Sequence, residues 1–260
     1  MIENPVKRVL EQGGFAFGAM LFEFATAGIA RVLAAAGAEF VIFDQEHTGW
    51  SVETLKPLLA GSRANGIVPL VRVPATEQHL IAAALDAGAM GLMVPMVEDA
   101  GQARRIVTAA KYPPHGRRGF GLLYRDELGE DPVAVMDTVN REQVLIALVE
   151  TAAGVDHVEQ IAAVEGIDLL WIGHRDLTNS LGIPSNFADR RYRDAVERIL
   201  EAGRATGKAV GMTAATPAEG RELLARGFRC VCYGDLWLYE GALREALDHL
   251  RTAVPVAGTI

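Results

Sequence analysis

Cysteine is almost missing from this chain: among 260 residues only Cys230 and Cys232 occur. Two positions apart in an apolar run, they point the same way on a strand but are too close along the chain for an ordinary disulfide. We read both as buried small hydrophobes, and a disulfide framework is excluded. Aromatic residues are also few, at 7%, in a composition that is 50% hydrophobic and rich in Ala, Gly, Val and Leu. That balance suits a parallel α/β protein rather than a β-sandwich. Basic clusters go no further than Arg117-Arg118 and Arg190-Arg191 in a chain of formal charge −8, so no nucleic-acid partner is expected. Long hydrophobic runs of the roughly 18 residues that span a membrane are lacking. The opening M-I-E-N-P-V-K-R-V-L has no apolar signal-peptide core, and the expectation is a soluble, cytoplasmic protein with no membrane partner.

What is present is rhythm. Eight short apolar segments recur, at residues 15–21, 39–43, 68–73, 91–94, 144–149, 169–172, 209–212 and 229–233. Most are near-continuous in apolar character, as strands buried on both faces are. Helical patterns fill the gaps at 25–36, 52–64, 77–87, 100–111, 155–163, 188–206 and 236–250. Thr216-Pro217-Ala218-Glu219 is a capping box with proline at the first helical position, and Asp99 with Gln102 resembles one. This alternation predicts a single-domain (β/α)₈ TIM barrel over residues 1–260. A doubly wound open sheet is the runner-up, weakened because no G-x-G-x-x-G follows the first strand. Residues 112–141 show little regular pattern and read as a functional connection, and 181–187 as a shorter loop.

In such a barrel the chemistry gathers where strands pass into βα loops. Val41 to Trp50 reads V-I-F-D-Q-E-H-T-G-W, an apolar run ending in Asp44, Glu46 and His47. Arg72 ends the third strand, Glu150 follows Val149, and Asp176 follows Trp171-Ile172-Gly173 by a short turn. Glu150 and Asp176 at one barrel mouth repel each other unless protonated or bridged by a cation. Mg²⁺ or Mn²⁺ would take both carboxylates and keep open positions for water or substrate oxygens. The alternative is that each carboxylate caps the helix after it, and spacing leaves both readings open. Arg72 cannot shed its charge near a core, so it either pairs with Asp44 or Glu46 or stabilises a substrate anion. His47 is a candidate proton shuttle or an exposed turn histidine. The backbone N–H groups of His174 and Arg175 open a helix, a seat for a carboxylate. Arg118 either reaches a substrate's far end or solvates a loop. A Schiff-base mechanism is disfavoured, because none of Lys7, Lys56, Lys111 and Lys208 ends an apolar strand.

The motifs Phe43-Asp44-Gln45-Glu46-His47, Val71-Arg72-Val73-Pro74, Leu85-Asp86-Ala87-Gly88, Val94-Pro95-Met96-Val97, Tyr112-Pro113-Pro114 with Arg118-Gly119, Glu150-Thr151 and Ile172-Gly173 with Asp176-Leu177 occur in that order. With these spacings the sequence resembles the HpcH/HpaI aldolase family, metal-dependent class II pyruvate aldolases, over about residues 17–250. The resemblance implies cleavage of 4-hydroxy-2-oxo acids to pyruvate, or a related 2-oxo acid, and an aldehyde. It implies Glu150 and Asp176 as ligands of Mg²⁺, Mn²⁺ or Co²⁺ and His47 as the base acting on the C4 hydroxyl. Asp86 is then expected to raise the basicity of His47, Arg72 to stabilise the enolate, and Asp44 to support it, with Glu46 behind them. Substrate contacts are expected from Arg72, Gly173, Arg175, Asp176 and Arg118. Family barrels assemble as hexamers, trimers of dimers that often exchange the last helix. This sequence departs from the family at His174 and Arg175, where proline and a small residue are usual, and at Leu148, where glutamine contacts the keto acid. The backbone amides of Arg175 and Asp176 are expected to take over part of that contact. Alternatives with the same enolate chemistry are oxaloacetate decarboxylation and cleavage of a CoA ester; a more distant one is a non-catalytic barrel that binds a keto acid.

Overall fold

The computed structural model describes residues 3–121 and 131–253. Eight parallel strands, each hydrogen-bonded to its neighbours in chain order, close into a barrel. They are β1 (Ala16–Leu21), β2 (Phe40–Asp44), β3 (Val68–Arg72), β4 (Gly91–Val94), β5 (Val144–Val149), β6 (Leu169–Ile172), β7 (Ala209–Ala214) and β8 (Cys230–Gly234). Around them run α1 (Pro5–Glu11), α2 (Ile29–Ala35), α3 (Val52–Ala64), α4 (Gln78–Asp86), α5 (Ala100–Ala110), α6 (Pro132–Glu142), α7 (Ala152–Asp156), α8 (Val158–Ala162), α9 (His174–Ser180), α10 (Arg190–Thr206), α11 (Pro217–Arg226) and α12 (Asp235–Ala253). The (β/α)₈ expectation holds, and the open sheet is excluded by the β1–β8 pairing.

Side-chain parity builds two cores. Phe40, Ile42, Val68, Leu70, Ile146, Leu148 and Trp171 fill the barrel. Val41, Phe43, Val71, Leu92, Val149 and Ile172 face the helices. Both faces being buried, the strands read as apolar runs rather than alternating ones. The same parity, carried one step past the last apolar residue, turns Asp44, Arg72 and Glu150 inward at the C-terminal mouth. Cys230 and Cys232 lie in the interior set as free, buried thiols, and burial pushes Cys232 up to about 12.

Several helices differ from expectation. Residues 112–141 hold all but the last residue of α6, started by Pro132 and by the Asp131 side chain, which accepts from the Val133 N–H at 3.0 Å. Residues 122–130 of that stretch lie outside the described residues. The helix expected at 155–163 is two pieces that meet at His157, whose ψ of 12° leaves helical geometry. The one expected from residue 25 begins at Ile29, after a segment in which Phe22, Glu23 and Phe24 each donate an N–H to Asp235 at 3.0 Å. Among the described residues no helix is long and apolar enough to cross a membrane.

Candidate active site

Asp44 organises one side of the mouth. Register pairs it with Arg72 across β2 and β3, and both point inward. The fully buried Asp44 carboxylate accepts from Arg72 Nε at 2.7 Å, from the Glu46 N–H at 3.0 Å and from the His47 N–H at 3.2 Å. One side chain therefore fixes the arginine and shapes the turn that presents the histidine. Arg72 also reaches Glu46 Oε2 at 3.1 Å. Burial works against the Arg72 charge, but the bonds and charges of Asp44 and Glu46 outweigh it and hold the guanidinium ionised. Burial raises the Glu46 carboxyl, with Arg72 and His47 opposing the rise. His47 is 56% exposed, its Nε2 3.7 Å from Glu46 Oε2, so it is oriented yet reachable.

Glu150 stands across from this group and is 2% exposed. Its Oε1 accepts the Met96 N–H at 2.8 Å, a donor delivered by a non-glycine residue at φ 55°. Its Oε2 lies against Gly173, where an added Cβ would sit 2.2 Å from that oxygen; only glycine leaves the room. Burial pushes the Glu150 carboxyl up to about 8, against the Met96 N–H, and the charges of Glu46 and Asp176 add to the rise. Asp176, in the first turn of α9, lines the same cavity of about 250 Å³ as His47, Arg72, Glu150, Gly173 and Arg175.

The donor set fits a hard divalent cation. Glu150 and Asp176 are two oxygen donors whose mutual repulsion a cation would relieve. Among the described residues no group of three or more His, Cys, Asp or Glu side chains is arranged to hold a metal. Two carboxylates alone would leave a cation positions for water and substrate oxygens.

The remaining expected residues divide. His174 lines the cavity with its ring 5.5 Å from Phe187, and burial lowers its pKa. The Arg175 guanidinium lies over the Trp237 ring at 5.5 Å. Asp86 does not meet His47 within the chain. It closes α4, which runs antiparallel to the strands, and so lies at the barrel's opposite, N-terminal end. There it pairs with Arg118 at 2.6 Å. Arg118 itself neither solvates a loop nor reaches the mouth: it is buried, with its guanidinium 4.7 Å from the Tyr112 ring centroid. Sequence reasoning missed the Met96 N–H, Phe22, Thr213 and Trp237, all contributed by backbone or by residues common in any core. Gly234-Asp235 after the last strand is too little in sequence for a phosphate-binding claim, and in the structure Asp235 instead ties down the N–H groups of Phe22, Glu23 and Phe24. Lys111 is a desolvated amine, lowered to about 8 by burial, yet its Nζ sits at the base, hydrogen-bonded to the Asn140 carbonyl rather than in the cavity.

A closed parallel barrel that gathers Arg72, His47, Glu150 and Asp176 around one cavity at its mouth has the layout of a barrel enzyme. The model of the HpcH/HpaI aldolase/citrate lyase family matches residues 19–235. A 2-keto-3-deoxy-L-rhamnonate aldolase of Escherichia coli O6:K15:H31 is 34% identical over 249 residues, covering 95% of this chain and 93% of that protein. The crystal structure of an HpcH/HpaI aldolase from Desulfitobacterium hafniense DCB-2 superposes with a TM-score of 0.90 at 28% identity, covering 98% of this chain and 99% of the other. A family protein from Burkholderia cenocepacia J2315 gives 0.86 at 32% identity, covering 95% and 99%. The chain belongs to the HpcH/HpaI aldolase/citrate lyase family and is a carbon–carbon lyase.

Proposed function

We propose that this enzyme is a divalent-metal-dependent aldolase that reversibly cleaves 4-hydroxy-2-oxo acids to pyruvate, or a related 2-oxo acid, and an aldehyde. One observation carries the reading: Glu150 and Asp176 share a cavity with an ionised, buried Arg72 and an accessible His47. Its relatives named as aldolases support it. A Mg²⁺, Mn²⁺ or Co²⁺ ion held by Glu150 and Asp176 would supply Lewis acidity toward the carboxylate and 2-keto oxygens of the substrate. His47 takes the C4 hydroxyl proton, and Glu46 offsets the imidazolium charge that results. The C3–C4 electron pair passes into the C2–C3 bond as the aldehyde leaves. Arg72, locked by Asp44, faces the negative charge growing on the 2-oxygen, and such preorganised donors need no rearrangement as the charge develops. The imidazolium of His47 then returns its proton, through water, to C3 of the enolate, which gives the 2-oxo acid and restores the base.

The reading extends to a cytoplasmic homo-oligomer. In α12 only Asp235 is buried, while Leu236, Leu238, Tyr239, Leu243, Leu247 and Leu250 are exposed. A hydrophobic helix so uncovered suits exchange between subunits in a hexamer. Asp86 and Arg118 are remote from the mouth of their own barrel, so Asp86 would serve His47, and Arg118 a substrate, only across such a boundary. The chemistry is tested by deuterium exchange into the pyruvate methyl group in D₂O, followed by NMR, with metal-stripped protein and with Mn²⁺ or Mg²⁺ restored. Metal-dependent exchange is expected; folded protein that exchanges with neither ion would refute the aldolase.

A further inference from the structure

We propose that the side chain of Arg175 binds the carboxylate of the 2-oxo acid, with Trp237 as the shelf that holds it in place. The inference rests on the aldolase reading and adds a substrate-binding group to it. An anion entering this cavity meets two carboxylates, Glu150 and Asp176, and an apolar floor of Met20, Met93, Leu148 and Trp171. Arg72 is already engaged, 2.7 Å from Asp44 and 3.1 Å from Glu46. Arg175 is different. Among the described residues its guanidinium has no hydrogen-bond or ion-pair partner and rests only on the Trp237 ring, 5.5 Å away.

The shelf is itself anchored. Trp237 packs on Phe22 at 5.6 Å, and the Asp235 carboxylate two residues earlier accepts the N–H groups of Phe22, Glu23, Phe24 and Leu236. A guanidinium lying on a fixed ring keeps its fork of donors free while losing rotamer freedom before substrate arrives. That fork matches a carboxylate bidentately, and ionised pairs of this kind form the stronger hydrogen bonds. Arg175 and Asp176 line the same cavity, so a substrate seated there lies beside both.

The test uses the Mn²⁺-loaded full-length protein and measures pyruvate affinity by calorimetry, alongside KM and kcat for methyl-proton exchange. Arg175→Gln should weaken pyruvate binding about 10- to 100-fold, the range of a charge-assisted pair, with the loss falling on KM more than on kcat. Arg175→Lys should recover part of it, and Trp237→Leu should lose part. Neutral methyl pyruvate should bind both wild type and Arg175→Gln alike. The backbone N–H of residue 175 persists in every variant, so the side chain alone is probed. Pyruvate affinity in Arg175→Gln within about twofold of wild type, or an equal loss for the ester, would overturn the assignment. If the wild type exchanges pyruvate protons in either case, the aldolase reading survives that failure; if it neither binds pyruvate nor exchanges its protons, both fall.

Discussion

Stripping divalent cations should expose Glu150 as a pH-dependent weakness in the folded protein. Its carboxyl is 2% exposed, and burial lifts it from an ordinary 4.5 to about 8, with the charges of Glu46 and Asp176 helping and the Met96 N–H opposing. The unfolded chain releases this proton near pH 4.5, whereas the folded protein keeps it until about pH 8. Between those limits the native state binds more protons, so stability falls as pH rises. The loss is nil below the lower value and complete above the upper, amounting to about 5 kcal/mol at 1.36 kcal/mol per unit. Urea unfolding of the metal-stripped protein from pH 5.5 to 8.5 should show this slope, and Glu150→Gln should flatten most of it, leaving the smaller contribution of Glu46. The same shift predicts that a cation binding at pH 7 displaces about 0.9 proton, since ligands must be deprotonated. Calorimetry in two buffers of different ionisation enthalpy measures that number. Parallel pH slopes in wild type and variant, or release of less than about 0.3 proton, would refute the reasoning.

Three further outcomes follow from the same geometry. Gly173→Ala places a Cβ 2.2 Å from Glu150 Oε2, so Mn²⁺ affinity read by electron paramagnetic resonance should drop by on the order of 100-fold; unchanged affinity would remove Glu150 from the metal site. Asp44→Ala leaves buried Arg72 with Glu46 alone and unties the turn to His47, costing about 3–5 kcal/mol in denaturant titration and most of the turnover; a loss under about 1 kcal/mol would show that Glu46 suffices. On the proposed exchange of exposed α12 between subunits, the double substitution Leu243→Glu with Leu247→Glu should lower the mass seen in light scattering, and an unaltered mass would rule out that helix as a subunit contact.

How far the sequence reached is clearest at particular residues. Most of the eight strands were legible because both their faces are buried, which writes them as apolar runs, and their ends were legible because ionisable groups do not finish buried strands without cause. Asp44, Arg72 and Glu150 carry the interior parity one step beyond the last apolar residue, so their convergence on one mouth was implicit in a period of two. Helix starts with a capping side chain, such as Asp99 and Thr216, were readable from three or four residues. What stayed hidden depends on approach through space. Arg118 sat in a stretch that read as loop and is instead buried on Asp86, and Asp86 was expected beside His47 although helix direction sends it to the other end of the barrel. The Met96 N–H, the room at Gly173 and the Trp237 shelf under Arg175 are made by contacts between segments tens of residues apart. Local periodicity determines which face a residue takes, because side-chain direction is a property of a few consecutive bonds. Which partner waits on that face is decided only when the barrel closes.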